Sequence, residues 1–234
     1  MQRYFAYIDN GIVNLSQDDI HHIVHVMRMK IGDRFEVVDN KIVNICEIKN
    51  INPLNIQIVD VFKEDVELDE EITLFFALAK GDKIDLVIQK ATELGVKRII
   101  LFNSVRTVVK FDKKDIEKKI KRFKKIAKEA SEQCHRLIIP EIIGVIDLKD
   151  IDNYLSDINY LAYEKEAGVN NDSLKIENNK SISIMIGPEG GFEQKEVDYL
   201  LKKNFKSVSL GKRILRCETA AIYALSVLSY KLEN

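Results

Sequence analysis

The chain has 234 residues, of which 46% are hydrophobic, and a formal net charge of −1. This length and composition suffice for one large domain or two small ones, and the near-neutral charge excludes a uniformly basic nucleic-acid-binding protein. No apolar run approaches the ~18 residues of a membrane span, and the N-terminus lacks the apolar core of a signal peptide. We therefore expect a cytoplasmic protein with no membrane partner. Its cysteines, Cys46, Cys134 and Cys217, are odd in number and far apart, which argues against a disulfide framework and against a zinc site.

The charges are unevenly distributed along the chain. Residues 97–136 carry fourteen Lys/Arg against five Asp/Glu, a local net charge of +9. Such a block in a neutral protein indicates a phosphate-rich partner, although a solvated, lysine-rich helix face is the alternative. Residues 60–71 carry seven acidic residues against Lys63. This acidic segment is the predicted boundary between a domain at 1–68 and a domain at 69–234.

The first domain is predicted to be mostly β-structure, in a small barrel or sandwich. Asn10–Gly11 between two apolar runs is a strong hairpin signal, and Ser16 can cap a short helix. The core face of that helix is predicted as Ile20, Ile23, Val24 and Met27. Strands are expected at Arg3–Ile8, Ile12–Leu15, Phe35–Val38, Lys41–Ile48 and Asn55–Phe62.

From Ile72 onward, strands alternate with helices, which predicts a parallel α/β sheet. The strands are expected at Ile72–Ala79, Lys97–Phe102, Ile158–Tyr163, Ser181–Ile186 and Phe205–Leu210.

Helices are expected between most of these strands. The first ends at Gly95, which is placed as its C′ residue. The last is apolar around most of its circumference, so it is predicted to be buried, in the core or against another subunit. Glu164–Lys180 is polar and is predicted as a flexible loop. The other helices are predicted at Asp112–Cys134, Asp147–Leu155, Glu193–Lys203 and Glu218–Lys231.

Two glycine-containing segments each follow a predicted strand and precede a helix. They are I-G-P-E-G-G-F at Ile186–Phe192 and L-G-K-R-I-L-R-C-E-T-A at Leu210–Ala220. If their strands are neighbours, the two loops form a crevice of the kind that binds ligands in open α/β sheets. The loops lack the Gly-Lys-Ser/Thr of a P-loop and the spacing of a dinucleotide fold. They therefore favour a ligand held mainly by backbone atoms.

These segments resemble the RsmE family of SPOUT methyltransferases. The similarity extends to K-G-D-K-I-D-L-V-I-Q-K-A-T-E-L-G-V at Lys80–Val96, K-I-A-K-E-A-S-E-Q-C-H-R at Lys125–Arg136 and H-H-I-V-H-V-M-R-M-K-I-G-D at His21–Asp33. The resemblance implies an N-terminal PUA-like β-barrel and a SPOUT α/β domain with a C-terminal trefoil knot, acting as a homodimer. It also implies methylation of N3 of one uridine in 16S ribosomal RNA of the small subunit, with S-adenosyl-L-methionine as methyl donor.

The resemblance assigns the glycine loops to the methyl-donor pocket. The chain departs from the family pattern at Val105. The family usually has an acidic residue there, immediately before the arginine that corresponds to Arg106. The residues predicted to bind the donor are Tyr163, Ile186, Gly187, Pro188, Glu189, Gly190, Gly191, Leu210, Gly211, Ile214 and Leu215.

The reaction requires removal of the weakly acidic N3 proton and an in-line approach of the methyl group. Arg216 is the candidate to stabilise the uracil anion, and Glu189 or Glu218 could accept the proton. Alternatively, Glu189 holds its loop and Glu218 lies in a helix first turn, where the dipole favours it. The residues predicted to bind RNA are Arg3, Arg28, Lys30, Arg34, Arg106, Lys110, Arg122 and Arg136.

Two other functions stay open at this stage. The chain could be another SPOUT enzyme, such as a ribose 2′-O-methyltransferase. It could also be a non-catalytic RNA-binding factor for ribosome assembly.

Overall fold

The computed structural model describes residues 1–109, 111, 113–163, 174–177 and 180–234, which form two compact units. The first unit comprises residues 1–67 together with 131–138, and the second comprises 68–130 and 139–234. The sequence patterns assigned 131–138 to the second domain. The segment joins the first unit through long-range contacts such as that of Arg136 with Glu67 (2.7 Å), which periodicity does not reveal. Lys110 and most of the predicted loop Glu164–Lys180 lie outside the described residues.

The first unit contains a four-stranded sheet and a separate two-stranded hairpin. The hairpin turns at Asn10–Gly11, as predicted, and both residues have positive φ (47° and 80°), which suits the tight turns that join antiparallel strands. The predicted strand Arg3–Ile8 is divided in two, because its first half pairs parallel with β4 instead. The strands are β1 (Arg3–Phe5), β2 (Tyr7–Asp9), β3 (Ile12–Asn14), β4 (Arg34–Asp39), β5 (Ile42–Ile51) and β6 (Leu54–Phe62).

The short N-terminal helix begins where predicted. The Ser16 hydroxyl accepts a hydrogen bond from the Asp19 N–H (3.1 Å) at the start of α1 (Gln17–His21). A π-helical turn, His22–Val26, follows. The prediction that Met27 lies on the core face is wrong, since Met27 is exposed. The wider π turn rotates residues after it away from an α-helical register.

The second unit is built on a six-stranded, all-parallel sheet, which confirms the predicted arrangement. Its order is β12-β10-β11-β7-β8-β9. β7 and β11 are completely buried, as expected for central strands covered on both faces. The strands are β7 (Ile72–Ala77), β8 (Arg98–Asn103), β9 (Glu141–Asp147), β10 (Ile158–Ala162), β11 (Ile182–Ile186) and β12 (Phe205–Val208).

Two features of this sheet differ from the sequence interpretation. β9 was not predicted; it is an edge strand whose run is interrupted by Gly144. The strands that precede the two glycine loops, β11 and β12, are not neighbours, because β10 lies between them. The crevice between the loops is therefore one strand wider than expected and is floored by the end of β10. The predicted helix at Asp147–Leu155 is a 3₁₀ helix, Leu148–Tyr154.

The four long helices of the second unit lie close to the predicted bounds. Gly95 has φ +83°, and a Cβ there would lie 2.7 Å from Cδ1 of Leu68, so both backbone and packing require glycine after α2. One face of α5 is buried and the opposite face exposes Tyr223 and Tyr230. No helix within the described part of the chain is long and apolar enough to cross a bilayer. The helices are α2 (Lys83–Glu93), α3 (Lys113–Gln133), α4 (Gln194–Lys202) and α5 (Cys217–Glu233).

Candidate active site

A cavity of 380 Å³ lies at the carboxyl ends of β10, β11 and β12. Ten of the eleven residues predicted to bind the methyl donor line it, and Gly190 is the exception. Seven further residues line the cavity that the sequence analysis did not predict to bind the donor. These are Lys83, Ala162, Phe192, Ser209, Arg213, Cys217 and Ala220, and Arg216 completes the wall.

The first wall of the cavity is the loop after β11, which we call the β11 loop (residues 187–193). A Cβ at Gly187 would lie 2.7 Å from Cε2 of Phe192. The Phe192 ring is buried and stacks on Phe102, with 6.2 Å between ring centroids. Gly191 has φ +67° and donates its N–H to the Pro188 carbonyl (2.9 Å). The glycines therefore permit a tight turn packed directly on a buried aromatic ring.

The opposite wall is the loop after β12, which we call the β12 loop (residues 209–216). Its hydrogen bonds are local: the Ser209 hydroxyl accepts from the Gly211 N–H (3.2 Å) and donates to the Gly211 carbonyl (3.1 Å). Ile214 is 84% exposed, and Arg213 and Arg216 are also exposed. This loop therefore presents apolar and cationic side chains that a bound ligand could cover.

A charge cluster connects α2 with the β11 loop and the first turn of α5. Lys83 Nζ lies 2.9 Å from Glu189 Oε1 and 3.7 Å from Glu218 Oε2. The Glu189 carboxylate also accepts a hydrogen bond from the backbone N–H of Lys80 (3.4 Å). The hydrogen bond to Glu189 raises the pKa of Lys83. Lys83 is therefore a permanent cation at neutral pH that joins the β11 loop to the first turn of α5.

Both carboxyl groups of the charge cluster have lowered pKa values. Burial opposes ionisation of Glu189, but hydrogen bonds from Lys83 and from backbone N–H groups outweigh it and lower its pKa. Burial also opposes ionisation of Glu218, whose pKa is lowered by its own N–H, by the Cys217 thiol and by nearby Lys83 and Arg216. A carboxylate with a lowered pKa is a weak base. The geometry thus favours the alternative role for each, holding a loop or a helix end.

The thiol of Cys217 belongs to the same cluster and donates to Glu218 Oε2 (3.2 Å). Burial raises its pKa to about 12, and the bond to Glu218 acts in the same direction. The group is a neutral thiol at physiological pH, so it cannot act as a thiolate nucleophile.

Arg216 is the N-cap residue of α5 and lines the cavity. Its exposed guanidinium stands where the partial positive charge of the helix N-terminus adds to its own. The site therefore combines a fixed cation–carboxylate cluster with a solvent-facing cation. That arrangement can stabilise negative charge developing on a bound base.

Comparison with known proteins agrees with this geometry. The family model described as "RNA methyltransferase domain" matches residues 66–229, and the one described as "RNA methyltransferase PUA domain" matches residues 15–61. Ribosomal RNA small subunit methyltransferase E of Bacillus subtilis is 34% identical over 100% of this chain and 98% of its own length. The chain belongs to the ribosomal RNA small subunit methyltransferase E family. A Borreliella burgdorferi protein, ribosomal RNA small subunit methyltransferase E 2, is 32% identical over 92% of this chain and 89% of its own length.

Solved structures of similar proteins contain S-adenosylmethionine. Methyltransferase E of Neisseria gonorrhoeae, bound to the donor, has a TM-score of 0.86 at 25% identity and covers 99% of this chain and 98% of its own. A Legionella pneumophila protein in complex with the same cofactor has a TM-score of 0.89 at 28% identity. The match covers 98% of this chain and 97% of the Legionella chain. Membership in this family makes the chain an S-adenosylmethionine-dependent RNA methyltransferase with an N-terminal PUA domain.

The arginines predicted to bind RNA occupy very different environments. Arg3 is 0% exposed and pairs with Glu36 (2.7 Å) and Glu64 (2.8 Å). Arg136 is 4% exposed and binds the Glu67 carboxylate. Carboxylates already engage both buried guanidinium groups, so neither is available to an RNA phosphate. Paired, buried arginines of this kind are structural, and the sequence interpretation of these two residues is corrected accordingly.

The other predicted RNA-binding residues remain accessible where the structure describes them. Arg28 and Lys30 are exposed, as is Arg34, which pairs with Glu47 (2.9 Å) on the neighbouring strand. In the second unit, Arg106 and Arg122 are exposed. Lys110 lies outside the described residues.

Arg122 borders a second cavity of 260 Å³ in the second unit. Lys80, Lys119 and Phe111 also line it, and the Lys119 ammonium lies 4.5 Å from the centroid of the Phe111 ring. Asp85 pairs with Arg122 at its edge. Lys80 lines this basic, partly aromatic cavity, and Lys83, three residues later, lines the first one.

The sequence analysis did not identify Lys83 or Glu196 as functional residues. The sequence contained a signal for Lys83 only. Lys83 belongs to the K-G-D-K segment that the family resemblance quotes, where it follows the turn after β7. Its approach to Glu189, 106 residues away, depends on the parallel sheet order. Glu196 carries no motif beyond its place in the first turn of a predicted helix, yet it is buried and accepts three hydrogen bonds.

Proposed function

We propose that this protein transfers a methyl group from S-adenosylmethionine to N3 of a uridine in 16S ribosomal RNA. The observation that carries the proposal is the cavity between the β11 and β12 loops, with Arg216 on its rim. The name shared by the methyltransferase E relatives supports the small-subunit RNA as substrate.

The cavity suits the methyl donor in size and chemistry. Its 380 Å³ falls within the about 300–1,000 Å³ that small-molecule sites occupy. Ile186, Leu210 and Leu215 supply apolar walls, while the glycines leave backbone groups open to a purine ring. The donor supplies an electrophilic methyl group on a sulfonium centre. Glu189 and Glu218 place two carboxylates beside Lys83, and Arg213 and Arg216 line the same cavity, so the site presents both signs of charge to a ligand that carries both.

The residues on the β12 loop prepare the RNA base. Arg216 would stabilise the uracil anion as the N3 proton departs, because a fixed cation acts most strongly where charge develops. Glu189 and Glu218 would hold Lys83 and the loop geometry rather than accept the proton, since their pKa values are lowered. The bound donor would supply the methyl group that N3 accepts, and the N3 proton would pass to solvent.

In the second unit, RNA is proposed to contact Arg106, Arg122 and the second cavity. In the first unit, it is proposed to contact Arg28, Lys30 and Arg34. Lysine and arginine side chains neutralise phosphates without reading sequence. Phe111, under the Lys119 ammonium, offers a ring on which an unpaired base could stack.

Three further features are proposed from family membership. The C-terminal part forms a trefoil knot, which is consistent with β10 lying between the strands that precede the two loops. The protein acts as a homodimer, for which the exposed α5 face with Tyr223 and Tyr230 is available. Its ribosomal substrate places it in the cytoplasm.

The test is a nucleoside digest of 16S RNA from cells with and without the gene. We expect 3-methyluridine to disappear on deletion and to return with the wild-type gene. A lost 2′-O-methylnucleoside with 3-methyluridine unchanged would favour a ribose methyltransferase. Titration calorimetry with S-adenosylmethionine distinguishes the third possibility, because a non-catalytic assembly factor would bind no donor.

A further inference from the structure

Glu196, in the first turn of α4, has a buried carboxylate that accepts hydrogen bonds from three groups. It is 7% exposed. Oε2 accepts from the Glu193 N–H (2.9 Å) and from the Ser104 hydroxyl (3.0 Å), and Oε1 accepts from the Val105 N–H (3.0 Å). Burying a carboxylate is costly unless hydrogen bonds compensate it, and here both oxygens are engaged.

Helix capping accounts for only one of these bonds. In a capping box, the N3 side chain binds the backbone N–H of the N-cap residue, which is the contact of Glu196 with Glu193. The other two donors come from the loop after β8, more than 90 residues earlier in the chain. Glu196 therefore joins α4 to a separate loop, which a cap does not need.

The loop after β8 is itself closed and presses against the β11 loop. The Thr107 N–H donates to the Ser104 carbonyl and the Ser104 N–H to the Thr107 hydroxyl, both at 3.0 Å. This turn presents Arg106, whose guanidinium donates to the Gly190 carbonyl (3.0 Å) and lies 3.8 Å from Glu193 Oε1. Glu193 and Gly190 belong to the β11 loop that forms one wall of the donor cavity.

Neither Ser104 nor Arg106 lines the donor cavity. Their influence on it passes through two attachments, the Glu196 carboxylate at the start of α4 and the Arg106 contact at Gly190. We infer that Glu196 is a positioning residue through which the Arg106 loop sets the shape of the β11 loop, and hence the affinity for the methyl donor. The inference rests on the proposed function, because it takes the cavity as the donor site.

This coupling has a consequence for RNA binding. Arg106 belongs to the proposed RNA surface and also holds Gly190. Nη1 of Arg106 donates to the Gly190 carbonyl, and the guanidinium has further N–H groups that a phosphate can engage. A coupling between RNA at Arg106 and donor in the cavity would be reciprocal and would pass through this pair of loops.

The experiment measures the S-adenosylmethionine Kd by calorimetry for the wild type, Glu196→Ala, Ser104→Ala and the double variant. We expect Kd to rise about tenfold in Glu196→Ala and about threefold in Ser104→Ala, since hydrogen bonds to a charged group are lost. The double variant should match Glu196→Ala within about twofold, because both substitutions break the same linkage.

Ser16→Ala is the matched control, since it removes the cap of α1 in the first unit. It should lower thermal stability without changing the donor Kd. Unchanged donor affinity in both Ser104→Ala and Glu196→Ala, with lowered melting temperatures, would show that Glu196 serves only as a helix cap. If Glu196→Ala does not fold, Ser104→Ala decides alone. Absence of donor binding by the wild type would instead overturn the proposed function.

Discussion

The two loops that face each other across the cavity are built in opposite ways. The β11 loop is held from several directions: Lys83 binds Glu189, Arg106 binds the Gly190 carbonyl, and Phe192 packs in the core. The β12 loop has local bonds between Ser209 and Gly211 and packs Leu210 and Leu215 against the core, but it exposes Arg213, Ile214 and Arg216. One wall is thus preformed, whereas the other keeps its functional side chains available to ligands.

This difference separates stability from chemistry. Substitutions in the β11 loop should disturb packing and donor affinity together, because the loop is continuous with the core. Substitutions of the exposed residues of the β12 loop should affect the reaction or the ligand while the folded protein keeps its stability. The following predictions test that separation.

Arg216→Ala should have the largest effect of these substitutions, and the effect should be on turnover. We expect kcat to fall about 10²–10³-fold, the size of effect that loss of one charge-stabilising group produces, while donor Kd and melting temperature stay near wild type. Turnover on ribosomal RNA, titration calorimetry with the donor and a thermal melt supply the three measurements. Arg213→Ala, on the same loop, is the matched control for loss of charge. Near-normal turnover in Arg216→Ala would remove this residue from the mechanism.

Gly187→Ala should damage the β11 loop through packing. The added Cβ would lie 2.7 Å from the buried Phe192 ring, which cannot move freely because it stacks on Phe102. We expect a loss of about 1–3 kcal/mol in the free energy of unfolding, typical of overpacking, and weaker donor binding. Denaturant unfolding measures the free energy of unfolding, and calorimetry measures donor binding. Gly144→Ala is the control, since a Cβ there meets nothing within 4 Å; equal losses in both variants would contradict this account.

Lys83→Met should make donor binding sensitive to acid. The pKa of Glu189 is lowered in the folded protein partly by its hydrogen bond from Lys83. The stabilising interaction is therefore present above the ordinary carboxyl pKa and is lost only as pH falls through the lowered value. Without Lys83 the pKa rises again, so binding should begin to weaken at a higher pH.

At neutral pH we expect the donor Kd of Lys83→Met to rise about two- to fivefold, as for a partly exposed ion pair. Calorimetry across about pH 4–7 follows the change. Lys90→Met removes a cation of the same helix that pairs with Glu93 (2.8 Å), and it should leave the pH profile unchanged. Identical profiles for the wild type and Lys83→Met would argue against the anchoring role.

Ile214→Ala should have the smallest effect on stability. The side chain is 84% exposed, so the free energy of unfolding should change by less than about 0.5 kcal/mol. Ile186→Ala makes the same substitution at a buried position at the end of β11 and should lose about 2–5 kcal/mol. A large loss in Ile214→Ala would mean that the β12 loop packs as firmly as its counterpart.

The sequence predicted much of this molecule because local patterns determine much of it. Turn chemistry located the Asn10–Gly11 hairpin and Gly95, and buried apolar runs located β7 and β11. Gly144 interrupts the run that forms β9, so that edge strand was missed. The π turn after His21 moved Met27 to the surface, which a regular α-helical period does not predict.

The site was predicted less completely, because several of its residues contact partners that are far away along the chain. The two glycine loops were recognisable as motifs, and ten of eleven proposed donor residues meet at one cavity. Lys83 and Glu196 act on partners about 90 to 106 residues away, which only the sheet order brings together. The burial of Arg3 and Arg136 depends on carboxylates, Glu36 and Glu67, whose proximity in space no local pattern indicates.

The central claim is that a preformed β11 loop and an available β12 loop together enclose the methyl donor. Amide hydrogen exchange with and without S-adenosylmethionine tests it most directly. We predict that donor slows exchange strongly in residues 209–216 and only slightly at Gly191, whose N–H already donates to the Pro188 carbonyl in the free protein. Fast exchange at Gly191 in the free protein, or donor binding that leaves both loops unchanged, would contradict the account.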